Sequence, residues 1–218
     1  MPNIAFQNAV DNLRNRVNYY PDFDRGGGDL AYALMVLARE GGANVGDLRY
    51  YADQKAESFD TPIALAQLGS ALAFTGDQPR ADALFNAAMR KIKSYDGTTE
   101  AAIWRSDYGS HRRDTAAVLA LAVEAGSNAV DREAMVVRLG RDSSRTSTQE
   151  KVWTLLAATA LTKARRVADV TVDGVTHIFD LGLIGDFQAE NVVAAVALAV
   201  SLGADVENVL PSLPSLQG

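Results

Sequence analysis

The chain contains no cysteine, and this absence removes several kinds of chemistry at once. Disulfide bonds, thiolate metal ligands and a cysteine nucleophile all need a sulfur that none of the 218 residues supplies. Only two histidines are present, His111 and His177, so a structural zinc site is not expected. The absence of disulfides does not indicate the cellular compartment, because an oxidising environment permits these bonds without requiring them.

An excess of positive charge and long apolar runs are also missing. The net charge is −6 at pH 7, whereas a nucleic-acid backbone is bound by clustered Lys and Arg, so we expect no nucleic-acid partner. No apolar run reaches the roughly 18 residues that a membrane-spanning helix needs. The first residues, MPNIAFQNAVDNLRNRV, lack the basic start and apolar core of an export signal. The sequence therefore predicts neither a membrane-spanning segment nor a signal peptide.

Helix signals are abundant over the first three quarters of the chain. Apolar residues recur at helical spacing over 4–18, 30–40, 61–75, 80–93, 107–125, 130–139 and 147–165. Residues with the patterns of helix N-caps are Asp29, Asn44 or Gly46, Thr61 before Pro62, and Ser147 with Glu150. Short turns rich in Gly and Asp join these segments. We therefore predict a mainly α fold of antiparallel helix hairpins.

Large apolar residues at helical spacing predict the core of these hairpins. We expect burial of Leu34, Leu37, Leu68, Leu72, Phe85, Leu119, Leu155 and Leu156. Small residues between Leu65, Leu68 and Leu72 should let neighbouring helices approach closely. The larger aromatic residues could line a groove, but core packing is favoured for Trp104, Trp153, Tyr50, Tyr51 and Tyr108.

The pattern changes after Arg166. Residues 169–171 and 175–179 flank Asp173-Gly174, a preferred pair for a two-residue type I′ hairpin turn. The almost wholly apolar stretch 189–202 predicts a helix, and a short helix follows around 206–210. We place a boundary near 165–168, which gives a helical domain over 1–166 and a small β-hairpin with a helical tail over 167–218.

Motifs that could carry chemistry each have a simpler structural interpretation. The run His111 to Asp114, with Asp107 and Tyr108 nearby, lacks the nucleophile that a catalytic His-Asp pair needs. We expect its charges on a solvated helix face or in salt bridges to a neighbouring helix. The glycines 26–28 lack the Lys and Ser of a phosphate loop, so a flexible linker is favoured. No enzyme activity, cofactor or metal is predicted.

A repeat pattern gives a further alternative. Leu68-Gly69, Leu72, Ala81, Phe85 and Ala88 lie at the offsets of a tetratricopeptide repeat, which would indicate a protein-binding adaptor. No second copy occurs at a period of roughly 34 residues. An isolated helix hairpin with the same packing is favoured.

Three long stretches carry a resemblance to a known family: residues 8–85, WRSDYGSHRRDTAAVLALAVEAGSNAVDREA, and STQEKVWTLLAATAL. With them, residues 1 to about 165 resemble the helical, thioester-type domain of bacterial alpha-2-macroglobulins, the protease-trapping proteins of the cell envelope. The resemblance implies a partial α/α toroid, a periplasmic or cell-envelope location, and proteases or other domains of a larger chain as partners. The family's Cys-Leu-Glu-Gln thioester motif does not occur in this sequence.

The tail, LIGDFQAENVVAAVALAVSLGADVENVLPSLPSLQG, resembles a different family. In Mur ligases, a similar segment joins the central ATP-binding domain to the C-terminal domain. The match rests on Gly185, Phe187 and Asn191, followed by an Ala-rich helix. It implies that Asn191 corresponds to an asparagine near the adenine of ATP, but the phosphate loop, metal ligands and carbamylated lysine are missing. Two partial families in one chain suggest a chimera.

Together these observations predict a non-catalytic helical scaffold from an alpha-2-macroglobulin-like protease inhibitor, without the thioester. The alternatives are a fragment of a Mur-type ATP-dependent ligase of peptidoglycan precursors, or a helical-repeat adaptor. An incomplete ring of hairpins should leave an apolar helix face at one end. We expect weak self-association there, or coverage of that face by the 189–202 helix.

Overall fold

The computed structural model describes residues 3–19, 24–96, 105, 107–141, 146–164, 167–172, 175–180 and 195–209. These residues are mainly helical, as predicted. The helices of the first part are α1 Asn3–Tyr19, α2 Gly28–Arg39, α3 Val45–Gln54, α4 Pro62–Phe74, α5 Gln78–Ser94, α6 His111–Glu124, α7 Arg132–Gly140 and α8 Thr148–Lys163. Short 3-10 helices at Asp24–Gly27 and Ala56–Ser58 lie between them. No helix of the described residues is long and apolar enough to cross a membrane.

Side-chain caps fix several of the predicted helix starts. The Thr61 side chain accepts a hydrogen bond from the Ala64 amide at the start of α4, and Asn44 caps α3 in the same way. The predicted cap at Asp29 is wrong. Gly27 holds that position in a left-handed conformation with φ 72°, which glycine adopts without strain, and Asp29 lies in the first turn of α2.

Helices α2, α4 and α6 run in the same direction, with α4 between the other two. Near their starts, the Asp60 amide donates to the Gly26 carbonyl over 3.1 Å and so joins the beginnings of α2 and α4. At their ends, the Arg39 guanidinium lies 4.9 Å from the centre of the Phe74 ring and pairs with Glu124. The intervening helices α3 and α5 both pack on α4. Alternate helices therefore form two layers.

The centre of this unit is α4, which is buried from Pro62 to Leu72. Its Gly69 shows why small residues are needed: a Cβ there would lie 3.2 Å from the Ala81 carbonyl and 3.3 Å from the Phe85 ring. This confirms that small side chains let α5 approach α4 closely. The α4–α5 pair is thus a tightly packed helix hairpin.

Most of the predicted core is confirmed, with the exception of its last helix. The leucines at 34, 37, 68, 72 and 119 and Phe85 are buried. The prediction is wrong for Leu155 and Leu156, which are 68% and 40% exposed. Helix α8 is apolar on most of its circumference, so the sequence pattern alone does not define its inner face. Its buried residues are the smaller Ala157 and Ala160.

The aromatic predictions divide in a similar way. Tyr51 is buried and packs edge-on against Phe59, with ring centres 6.4 Å apart, as expected for core packing. Tyr50 and Tyr108 are exposed, so core packing is wrong for both. Trp153 is half-buried, and Trp104 lies outside the described residues.

The chain divides into two compact units, Met1–Ala160 and Leu161–Gly218. In the second unit, β1 Val167–Val172 pairs antiparallel with β2 Val175–Asp180. Val172 faces Val175 at the end of the ladder, which confirms a hairpin joined by residues 173–174. Residues 195–201 are helical, and a single turn of helix follows at Val206–Val209. The predicted helix between 189 and 194 lies outside the described residues.

Candidate functional site

The start of α6 holds the largest concentration of buried charge in the described residues. The helix was predicted to begin near Asp107 but begins at His111, because Ser110 is its N-cap and accepts a hydrogen bond from the Arg113 amide over 3.0 Å. Before it, Asp107 Oδ1 accepts from the Gly109 amide over 3.0 Å and closes a tight turn. Tyr108 lies in that turn with φ 52° and its side chain 93% exposed.

Two arginines and two aspartates meet behind this turn. We call them the arginine–aspartate cluster: Arg105, Asp107, Arg113 and Asp114. Arg105 donates to Asp114 over 2.7 Å and to Asp107 over 2.9 Å. Arg113 donates to the same two carboxylates over 2.6 Å and 2.7 Å. Each carboxylate is therefore shared by both guanidinium groups, and Asp114 is fully buried between them.

Gly109 leaves the space that the two guanidinium groups occupy. A Cβ at this position would lie 2.3 Å from Arg113 Nη2 and 2.6 Å from Arg105 Nη2. Neither guanidinium can move aside without leaving its aspartates. The two guanidinium groups can therefore occupy these positions only because residue 109 has no side chain.

Aromatic rings extend the cluster toward the end of α5. The Tyr95 ring stacks on the His111 ring with centres 3.9 Å apart, and the Tyr95 hydroxyl donates to Asp114 over 3.4 Å. Burial, together with the nearby Asp114 charge, raises the pKa of Tyr95 to about 12. Burial opposes ionisation of Asp107, but hydrogen bonds from Arg105 and Arg113 outweigh it and hold the pKa of Asp107 well below its usual range.

Helix α8 is tied to the same place by polar contacts. Ser110 Oγ donates to Glu150 Oε1 over 2.6 Å, and the Ser147 amide donates to Glu150 Oε2 over 2.6 Å. The Glu150 amide donates back to Ser147 Oγ, which confirms the predicted capping box. Burial opposes ionisation of Glu150, but these bonds lower its pKa. One carboxylate thus joins the starts of α6 and α8.

The geometry does not resemble a catalytic triad. Asp114 accepts from two arginines, and the Ser110 hydroxyl is used by Glu150 and by the helix cap, so neither is placed to activate the other. The expectation of a solvated helix face is wrong for Arg113 and Asp114, which are 5% and 0% exposed. Their ion pairs lie within the segment 105–114 rather than across to another helix. No group of His, Asp and Glu in the described residues could hold a metal ion.

The sequence analysis did not identify Arg105 or Tyr95 as members of the site. It also did not predict that Glu150 accepts a hydrogen bond from another helix start. A usable signal was present. Opposite charges at Arg105, Asp107, Arg113 and Asp114 surround the capping Ser110 just before a long apolar helix. Charges so close to a buried segment must be paired if they are drawn into it.

The remaining candidate residues are not brought to this site. Asn191 lies outside the described residues. Gly26 and Gly27 end a 3-10 helix, so the predicted flexible linker is wrong there. A Cβ on Gly26 would lie 2.3 Å from Asp60 Oδ2, and the Gly26 carbonyl accepts from the Asp60 amide. Glycine at position 26 therefore allows this segment to lie close to Asp60.

A second cluster of like composition joins α3 to the start of α5. We call it the surface cluster: Arg49, Asp53, Asp77 and Arg80. Arg80 donates to Asp53 over 2.8 Å and to Asp77 over 3.1 Å. Arg49 donates to Asp77 over 2.8 Å. Arg49, Asp53 and Arg80 are partly open to water, whereas Asp77 is buried.

The first unit is a layered helix-hairpin domain in which buried charges are paired with one another. No protein-family model matches the chain. It is 36% identical over 94 residues to alpha-2-macroglobulin of Escherichia coli (strain K12), which is 43% of this chain and 5% of that protein. It is 37% identical over 112 residues to alpha-2-macroglobulin of Xylella fastidiosa (strain Temecula1), which is 51% of this chain and 6% of that protein.

Solved structures extend this similarity over more of the chain. The native conformation of E. coli alpha-2-macroglobulin matches 83% of this chain with a TM-score of 0.63 and 24% identity. Salmonella alpha-2-macroglobulin reacted with methylamine matches 83% of it with a TM-score of 0.61 and 25% identity. The chain is therefore similar to a region of bacterial alpha-2-macroglobulins, by sequence over about half of its length and by fold over 83% of it. It spans only 12% of those solved chains.

A shorter similarity is to another protein. Over 54 residues the chain is 41% identical to UDP-N-acetylmuramoyl-L-alanyl-D-glutamate–2,6-diaminopimelate ligase of Mesorhizobium japonicum. The match covers 25% of this chain and 11% of the ligase. It agrees with the resemblance to a Mur ligase segment.

Proposed function

We propose that this chain is a non-catalytic helical scaffold from an alpha-2-macroglobulin-like protease inhibitor. The observation that carries the proposal is the match in fold over 83% of the chain to two such proteins. Because the chain spans about an eighth of them or less, inhibition itself would depend on the rest of a longer protein. The scaffold's task is to hold that remainder in place.

The proposed architecture is part of an α/α toroid. In such a fold, alternate helices form an inner layer of parallel helices, and the helices between them form an outer layer. The common direction of α2, α4 and α6, with α3 and α5 packed on α4, supports this arrangement. In this arrangement α8 is the next inner helix after α6.

The proposed partners are proteases or other domains of a larger chain, in the periplasm or cell envelope. No cysteine is present, so this chain cannot itself form the thioester that its resemblance implies for the family. Any contact that it makes with a protease is therefore reversible. Incubation with a protease should give no covalent adduct on denaturing electrophoresis.

A segment exchange tests the scaffold role directly. The matching region of E. coli alpha-2-macroglobulin is replaced by residues 1–160 of this chain, and inhibition of proteases acting on a large protein substrate is measured. We expect the exchanged protein to fold and to inhibit, because the replaced helices serve only to position the rest. Circular dichroism and gel filtration establish folding.

The matched control is the same exchange with Asp114→Ala. This change leaves Arg105 and Arg113 buried with only one shared carboxylate, that of Asp107, and we expect it to lower both the yield of folded protein and inhibition. An exchanged protein that folds well but does not inhibit contradicts the scaffold role. In that case the segment carries a function of its own that the two sequences do not share.

The ligase similarity supports a second candidate, in which part of a Mur-type ATP-dependent ligase is joined to the helical unit as a chimera. This candidate predicts ATP binding that depends on Asn191. Titration calorimetry with ATP and magnesium compares the chain with an Asn191→Ala variant. We expect no binding to either, because a Gly-rich loop ending in Lys-Ser or Lys-Thr is missing. Binding lost in the variant supports the ligase candidate.

A further inference from the structure

The exposed side of α8 carries a row of residues with a lysine at each end and a leucine and a threonine between them. Lys151, Leu155, Thr159 and Lys163 recur every fourth residue and are exposed. Val152, beside Leu155, is 50% exposed. On a helix these residues lie opposite Ala157 and Ala160, which are buried. We call the four residues 151, 155, 159 and 163 the α8 stripe.

The open side of α2 carries a stripe of the opposite sign. Asp29, Tyr32, Val36 and Glu40 recur every third or fourth residue, and Tyr32 is 54% exposed. The other sides of α2 are buried at Leu30, Ala31, Ala33, Leu34, Met35, Leu37 and Ala38. We call residues 29, 32, 36 and 40 the α2 stripe.

The two stripes match in length, and each carries the same sign of charge at both ends. At a rise of 1.5 Å per residue, the α8 stripe is about 18 Å long and the α2 stripe about 16 Å. If the two helices lie side by side in parallel, Lys151 meets Asp29 and Lys163 meets Glu40. Leu155 and Thr159 of one stripe then face Tyr32 and Val36 of the other. Parallel packing is already the relation among α2, α4 and α6.

The signs of the charges select the pairing. Two α8 stripes would bring lysine against lysine in either direction, and two α2 stripes would bring carboxylate against carboxylate. Like charges brought together at an interface oppose association. Each stripe is therefore suited to the other and not to itself.

We propose that a second copy of this chain docks here, with α8 of one copy packed in parallel against α2 of its partner. The contact is heterologous, so each copy still offers one stripe of each kind. Both stripes are narrow, and the association is weak. The proposal rests on exposed residues of these two helices and holds whether or not the chain is the proposed scaffold.

Sedimentation velocity of the full chain, from about 1 μM to 1 mM, measures the association. We expect the average mass to rise with concentration. Leu155→Asp places a charge in the middle of the α8 stripe and should weaken association at least about tenfold. Because Leu155 is 68% exposed, the fold should be retained, and circular dichroism verifies this. The control is Leu198→Asp, which changes a leucine of similar exposure outside both stripes and should leave association unchanged.

A charge exchange identifies the partner stripe. Lys151→Glu and Asp29→Lys should each weaken association when either variant is alone, since each brings like charges together. A mixture of the two variants restores opposite charges at the contact and should associate as the unchanged chain does. A chain that stays monomeric up to about 1 mM overturns the proposal, and other segments of a longer polypeptide then cover the stripes. Association that survives Leu155→Asp, or a mixture that does not recover, overturns it as well.

Discussion

Two clusters in this molecule have the same composition, two arginines and two aspartates each, but the solvent exposure of their arginines differs. In the arginine–aspartate cluster the arginine side chains are 10% and 6% exposed, whereas in the surface cluster they are 52% and 39% exposed. The bonds have similar lengths. Charges out of water attract more strongly, but a buried charge without a partner is costly, whereas an exposed one is solvated. Burial rather than bond length should decide what each cluster contributes.

The largest expected effect comes from breaking the buried cluster. Asp114→Asn keeps the shape of the side chain but leaves Arg105 and Arg113 with one carboxylate between them. We expect the free energy of unfolding to fall by about 3 to 5 kcal/mol, as when one partner of a buried ion pair is removed. Urea denaturation followed by circular dichroism measures this loss. The matched control is Asp53→Asn in the surface cluster, which should barely move the urea midpoint. Equal losses in the two variants would contradict the role given to burial.

Apolar burial offers a second comparison, between α4 and α8. Leu72 is completely buried in α4, and Leu72→Ala should cost about 2 to 5 kcal/mol through lost contacts and a cavity. Leu155→Ala removes a similar side chain from a mostly exposed position on α8, so we expect little change in the urea midpoint. A near-zero loss at Leu72 would contradict the buried core of α4.

The sequence predicted the elements that local chemistry determines. The caps at Asn44, Thr61 and Ser147 depend on a side chain and an amide a few residues away, and all three are confirmed. The hairpin after Arg166 depends on a two-residue connection, and its register is confirmed. Such features need no knowledge of which helix packs on which.

The errors occur where tertiary contacts decide. Helix α8 is apolar on most sides, so its periodicity did not show that Ala157 faces inward and Leu155 outward. The start of α6 was placed too early, because Asp107 belongs to a turn closed by contacts with Arg105 and Arg113. From the sequence, we expected the charges near this turn to lie on a solvated helix face or in salt bridges to a neighbouring helix. Only the fold shows that Asp107 pairs with two arginines that are nearly buried.

A pH titration measures the contribution of one carboxylate, Asp107, to the arginine–aspartate cluster. The fold lowers the pKa of Asp107, so its ionised form stabilises the protein above about pH 4, the ordinary range of an aspartate, and this stabilisation is lost as pH falls through the lowered pKa. The thermal midpoint should therefore fall as pH drops below about 4. In Asp107→Asn the midpoint should start lower at neutral pH and fall less. Parallel pH profiles for the two proteins would contradict this contribution of Asp107.

The smallest effect is expected from the surface cluster, where salt gives the sharpest test. Arg80 holds Asp53 through two hydrogen bonds of 2.8 Å and 3.0 Å, and these bonds lower the pKa of Asp53. Because the pair is open to water, salt should screen it, over a Debye length of about 30 Å at 0.01 M but about 3 Å at 1 M. Arg80→Ala should lower the thermal midpoint slightly at low salt, and the difference from the unchanged chain should shrink at about 1 M salt, because the buried Asp77 keeps its bond from Arg49. Arg80→Lys keeps the charge without the paired geometry, and so separates simple attraction from the two-bond contact.

The loss of stability in Asp114→Asn should persist at high salt, because ions do not reach that site. A salt-independent loss in Arg80→Ala would mean that the two clusters are alike in spite of their different exposure.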